Sequence, residues 1–298
     1  MRALLAAIGD LFKRAGIDWM NDYAQSMGAA LAFYTMFSIA PLLLIVIAIA
    51  GMVFGEEAAR GEIYGQLQGM LGSKGAAAVQ SLLESAGKPA ESMMATAFGV
   101  VLLVVGATTV FAELQDAFDR IWRAPAKPGS SSLWRMLRGR LLSFGIILGF
   151  GFLLMVSLVF SAAMSALSRW GEPALIGWDR ISGAVDVGLG IALSTLVFAV
   201  IFKTMPRVRV AWRDVWIGAI LTSLLFVAGK YLIGAYLGRS TVFSLFGAAA
   251  SLVLVLLWVY YSAQIFLFGV EFTRVYALKF GSHRGDREQL GGTTASRP

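Results

Sequence analysis

Residues 141–168 run for 28 positions without one charged side chain, and five other stretches of the chain are nearly as bare. A helix needs about 20 mostly apolar residues to cross roughly 30 Å of hydrocarbon. Residues 29–54 and 92–112 carry no charge, 181–202 carry only Asp186, and 215–238 carry only Lys230. The last stretch, 240–270, is uncharged for 31 residues, more than one crossing requires. Its opening STVFSLF therefore reads as a re-entrant or interfacial piece, and the sixth span is placed at 247–272. Runs of this length satisfy their backbone in lipid only as helices. The expectation is an all-α, polytopic six-transmembrane-helix bundle over residues 29–280. Composition agrees: 14% of the residues are charged, against about 25% in a soluble domain, which is too few to cover a soluble core. The 33 glycines suit close helix packing in lipid.

The connections orient the bundle, because Lys and Arg accumulate in cytoplasmic loops. The N-terminal segment, the second and fourth connections and the C-terminal segment together hold 18 of the 25 basic residues, among them Arg120, Arg135, Lys203, Arg213 and Arg274. The opposite side holds six: Arg60, Lys74, Lys88, Arg169, Arg180 and Arg239. Both termini are thus expected in the cytoplasm, and the formal charge of +7 is topological and implies no nucleic acid. Residues 1–28 contain Asp10, Lys13, Arg14, Asp18 and Asp22 and have no continuous apolar core, so they are not read as a signal peptide. Leu4, Ile8, Leu11, Phe12, Ala15 and Trp19 share one helical face, which predicts an amphipathic helix on the inner membrane surface or packed beneath the bundle. The connection 55–91 is expected outside, as two short amphipathic helices parted by Gly72, Ser73 and Gly75. Residues 281–298 are read as a disordered cytoplasmic tail.

Much chemistry is excluded by composition. There is no Cys, and the one histidine, His283, lies in the polar tail, so thiolate chemistry and histidine-based zinc sites are out. No GxxxxGK[ST] occurs, and the apolar GFG and GLG triplets follow no strand, so ATP hydrolysis is not expected and no cofactor is called for. Ionisable groups within spans suggest function by default. Asp186 and Lys230 both lie toward the outer ends of neighbouring antiparallel helices, where they either pair across a polar cavity or snorkel separately. Glu271, with Arg274 one turn on, is either a proton or cation site or a tie to Arg140 or Arg213. Glu113, Asp116 and Asp119 recur every third residue, but they precess by about 60° per step around a helix. They are a weak metal candidate, and no metal site is assigned. Pro41 permits a kink in the first span. Gly145 and Gly149 in the third span have GxxxG spacing, as do Gly234 and Gly238 in the fifth, and both pairs are read as helix packing before dimerisation.

The stretches AAALAFYTMFSIAPLLL, FAELQDAFDRIWRAP, AWRDVWIGAILTSLLFVAGKYLIGAYLGRS and GAAASLVLVLLWVYYSAQIFLFGVEFTRVYA, in this order and spacing, closely resemble the YihY/BrkB family of bacterial inner-membrane proteins over about residues 20–280. The resemblance implies six spans. It also implies links to virulence, serum resistance and envelope lipid traffic, and it carries an older name, the tRNA-processing ribonuclease BN. It brings no agreed catalytic motif. Three functions follow as expectations. The first is transport of a small solute or amphipathic envelope lipid, with membrane lipids as partners. The second is a non-catalytic scaffold, with a homo-oligomer or envelope protein as partner. The third is the ribonuclease, which fits least: the chain has no Cys, one tail His and no compact cytoplasmic domain.

Overall fold

A computed structural model describes residues 2–86, 109–125, 178–239 and 250–284. Among them every regular element is helical. These are α1 (Arg2–Asn21), α2 (Ala24–Phe54), α3 (Glu56–Ala86), a helical stretch over 109–121, α4 (Trp178–Thr204), α5 (Trp212–Arg239) and α6 (Ala250–Lys279). The expected spans at 92–112 and 141–168 lie outside the described residues, apart from 109–112.

The breaks between helices have local causes. Tyr23 turns the chain between α1 and α2 with φ 58° and ψ 40°, a left-handed conformation uncommon for a residue with a Cβ. Gly55 separates α2 from α3 at φ 88° and ψ 143°, a region open in practice only to glycine. Its N–H donates to the Gly51 carbonyl at 2.9 Å. Gly51 must also be small, because the Glu56 Cα lies 3.2 Å from where its Cβ would stand. α2 runs unbroken through Pro41. α3 differs from expectation: residues 56–86 form one continuous helix and not two. A helix-interior glycine costs only about 1 kcal/mol relative to Ala, and Gly75, Ala76, Ala78 and Val79 are all buried, so packing outweighs the weak propensity at 72–75.

α6 is the hub, packed against α1, α2, α3 and α5, while α4 packs on α5. The main core joins Met27 and Leu31 of α2, Phe118 and Ile121, Phe202 of α4, Val215 of α5, and Leu267 and Val270 of α6. Phe266 sits between Phe118 and Phe202, with ring centroids 5.8 and 5.4 Å away. A second cluster joins Val46 and Ile47 of α2 with Ile63, Val79 and Leu83 of α3 and Leu254 and Val255 of α6.

The outer surface is inverted relative to that of a soluble protein. Trp216, Ile220 and Leu224 form an exposed row on α5, Leu196 and Val200 on α4, and Phe33 and Phe37 on α2, each at i, i+4 spacing. Meanwhile Thr195, Thr222, Ser223, Glu271, Thr273 and Arg274 are buried. Contiguous exposed apolar rows over a polar-containing interior suit lipid as the surrounding solvent. Three windows among the described residues are long and apolar enough to cross a membrane: Val187–Thr204, Trp212–Lys230 and Leu252–Lys279. The chain is an all-helical membrane protein within the described residues.

Candidate functional site

Polar groups gather at one end of the bundle, where α1, the 109–125 segment, the 203–214 connection and the end of α6 meet. The turn at Tyr23 brings α1 back along α6. Leu11 and Ala15 bury against Phe272 and Val275, and Phe12 lies 5.2 Å from the Phe272 ring centroid. Lys279 Nζ donates to Asp10 Oδ2 at 2.7 Å, and Arg14 Nε donates to the same oxygen at 2.9 Å. These two donors hold the exposed Asp10 carboxyl below its usual range.

Deeper in the same contact lies Glu271, fully enclosed at 0% exposure. Arg274 Nη1 is 3.8 Å from Glu271 Oε2 and 3.4 Å from Asp18 Oδ2. The Asp22 carboxyl lies against that of Glu271. Both Glu271 oxygens and Asp22 Oδ2 are buried without a hydrogen-bond donor. Of the two structural ties expected for Glu271, Arg140 lies outside the described residues and Arg213 is exposed. The observed ion-pair partner is Arg274.

Around this cluster the chain is fastened by its own ends and loops. Asp214, 1% exposed in the first turn of α5, accepts from Ser282 N at 2.9 Å and from Ser282 Oγ at 2.7 Å. Lys203 Nζ donates to the Val210 carbonyl at 2.5 Å and lies 5.5 Å from the Trp212 ring. His283 Nε2 is 3.0 Å from the Arg209 carbonyl, and its ring is 5.9 Å from that of Trp122.

The sequence-derived candidates fare differently. Asp119 pairs with Arg207 at 3.0 Å. Burial pushes its carboxyl above the usual range, against the pull of Arg207. Asp116 is exposed and Glu113 half-buried, so the three do not converge, and among the described residues no group of three or more His, Asp or Glu is placed to hold a metal. Lys230 is half-buried on α5, whereas the Asp186 side chain lies outside what is described, although its backbone belongs to α4. Gly145 and Gly149, expected to pack the third span against a neighbour, both lie outside the described residues. Gly234 and Gly238 lie in the last turns of α5.

Sequence reasoning passed over two features. Asp18 and Asp22 are one turn apart on α1, the i, i+4 spacing that puts two carboxylates on one face, but they served only to exclude a signal peptide. Among the described residues the tightest helix contact is made by glycines outside the GxxxG pairs. On α5 and α6, Gly218 lies under Thr273 and Gly269 under Thr222, so a Cβ at either glycine would collide with the opposing threonine. Each threonine donates its hydroxyl to a carbonyl of its own helix, Thr222 to Gly218 and Thr273 to Gly269, both at 2.7 Å. The signal was a pair of GxxxT motifs in antiparallel helices.

The relatives found by comparison are named as membrane proteins. A UPF0761 membrane protein of Pseudomonas aeruginosa is 28% identical over 253 residues, covering 84% of this chain and 59% of the relative. One from Alkalilimnicola ehrlichii is 26% identical over 309 residues, covering 98% and 66%. One from Ralstonia nicotianae is 29% identical over 261 residues, covering 86% and 55%. The chain thus spans about three fifths of the length of the curated relatives it matches. No solved structure matches. The family model described as Virulence factor BrkB matches residues 18–291, and the chain belongs to that family.

Proposed function

We propose that this protein is a six-span inner-membrane transporter or exporter of a small solute or amphipathic envelope lipid, with both ends of the described chain on the cytoplasmic side. The observation that carries this reading is the Asp18–Asp22–Glu271–Arg274 cluster, a set of ionisable groups where the amphipathic α1 meets the apolar α6. Burying such groups costs several kcal/mol per ion unless they are well paired, and two of these carboxyls lack donors. A site retained at that cost is better explained by work than by stability. The excess of Lys and Arg on one side supports the orientation, in which the cluster is cytoplasmic. Asp186 and Lys230, toward the outer ends of α4 and α5, are the second polar candidates along a route. The protein is proposed not to be an enzyme and to need neither ATP nor a metal, with membrane lipids as its immediate partners.

The scaffold reading draws on a different observation. The core around Phe118, Phe202 and Phe266 is densely packed, as a bundle that only presents a docking surface to a second copy or an envelope protein would be. Mass spectrometry of the lipids and small molecules that copurify separates the two. Transport predicts one compound class enriched over the bulk membrane in the wild type and lost in Glu271→Ala. A bulk-membrane profile in both proteins favours the scaffold.

A further inference from the structure

The contact between Asp22 and Glu271 raises a question of proton count. Ionised carboxylates accept hydrogen bonds and cannot donate them. Three carboxyls meet here, Asp18 and Asp22 from α1 and Glu271 from α6, and Arg274 is the base ion-paired among them, shared between Asp18 and Glu271 at 3.4 and 3.8 Å. Arg123, from the 109–125 segment, also faces Arg274. The other helices against this part of α6 bring apolar and hydroxyl side chains: Met27 from α2, Gly218 and Thr222 from α5. Glu271 has no access to water, and neither of its oxygens nor Asp22 Oδ2 receives a hydrogen bond from any described donor. Two touching carboxylates in such a place cannot both stay ionised without a severe penalty. One proton between them removes the repulsion and supplies the missing donor.

We propose that Asp22 and Glu271 form a proton-binding site, in which one exchangeable proton is shared between α1 and α6 at neutral pH. The proton enters from water through the half-buried Asp22 and returns the same way, leaving two facing carboxylates that push α1 away from α6. The site is thus a pH-sensitive latch on the amino-terminal helix, and it holds whether or not the bundle moves a substrate.

The test uses the full chain in lipid nanodiscs, followed by infrared spectroscopy and by its thermal midpoint as pH is raised from neutral. The wild type is expected to show a protonated-carboxyl carbonyl band at neutral pH that disappears on alkalinisation while the Tm falls. Glu271→Gln keeps an amide donor toward Asp22, so it should lose the band and the alkaline fall in Tm. Asp22→Asn should also lose the band, which keeps the proposal testable if one variant does not fold. Two results would overturn it. One is a neutral-pH spectrum identical in the wild type and both variants, with Glu271→Gln lowering Tm equally at every pH, as expected if Glu271 is ionised and held by Arg274. The other is sodium chloride, compared with an equal concentration of choline chloride at alkaline pH, restoring Tm as fully as acid does, which would assign the site to a metal cation.

Discussion

At the scale of single residues, packing in this protein is decided where side chains are missing. Lipid is as apolar as the core, so association between α5 and α6 draws on van der Waals contact more than on exclusion of water. The reciprocal fit of Gly218 under Thr273 and Gly269 under Thr222 is such a contact, and it leaves no room for a branched side chain. Gly218→Val is expected to destabilise the protein by about 1–3 kcal/mol, the usual cost of overpacking, read as a lower Tm in detergent. An unchanged Tm would mean that the two helices are not held at this distance. The acidic cluster was half legible by the same measure. Glu271 stood out as a charge near the end of a span, but its neighbours Asp18 and Asp22 come from about 250 residues away in sequence, and only the fold brings them together.

At the scale of elements, three of the apolar runs fall on long helices of the structure, because an apolar run in lipid has one backbone solution. Residues 181–202, 215–238 and 247–272 became Trp178–Thr204, Trp212–Arg239 and Ala250–Lys279. Ends were less legible, since α6 continues past Glu271 under the cover of α1 and not of lipid. The split expected in α3 failed because glycine propensity is a weak local term against burial of Gly75, Ala76 and Val79. The contact of α1 with α6 yields a pH prediction. The Asp10 carboxyl is held low, first by Lys279 and then by Arg14, so its stabilising effect is complete above its ordinary range near 3.8. That effect disappears as pH falls through the lower folded value. Cysteines placed at Phe12 and Phe272, whose rings are 5.2 Å apart, should cross-link readily near neutral pH. Their yield should fall in strong acid, and Asp10→Asn should lower it already at neutral pH. A yield insensitive to both changes would show that Asp10 does not hold α1 in place. Thiol reactivity itself falls in acid because the thiolate is the nucleophile, so each yield is normalised to that of a cysteine pair one turn apart within α6, which reports the chemistry alone.

At the scale of the whole molecule, the distribution of charge favours one orientation in the membrane. The basic side of the sequence contains α1, the 109–125 segment, the 203–214 connection and the end of α6, and these are the parts that the structure joins through Lys279–Asp10, Asp214–Ser282 and His283–Trp122. The described parts of these basic segments thus meet at one end of the bundle. Because the sequence contains no Cys, single cysteines report topology without background. A cysteine at Glu62 in α3 should react with a membrane-impermeant maleimide in intact spheroplasts, and cysteines at Lys13 or His283 only after permeabilisation. Labelling of position 13 or 283 in intact cells would invert the orientation.

Transport, as proposed, means that the bundle moves a ligand and does more than hold it. Proteoliposomes carrying the compound that copurifies with the wild type measure this directly, as the rate at which a solute leaves the lumen or a lipid leaves its leaflet. Transport predicts release by the wild type well above that of protein-free vesicles, with release by Glu271→Ala near the protein-free rate. Equal rates in all three preparations, with the protein shown to be folded and inserted, would contradict it and leave the scaffold reading in its place.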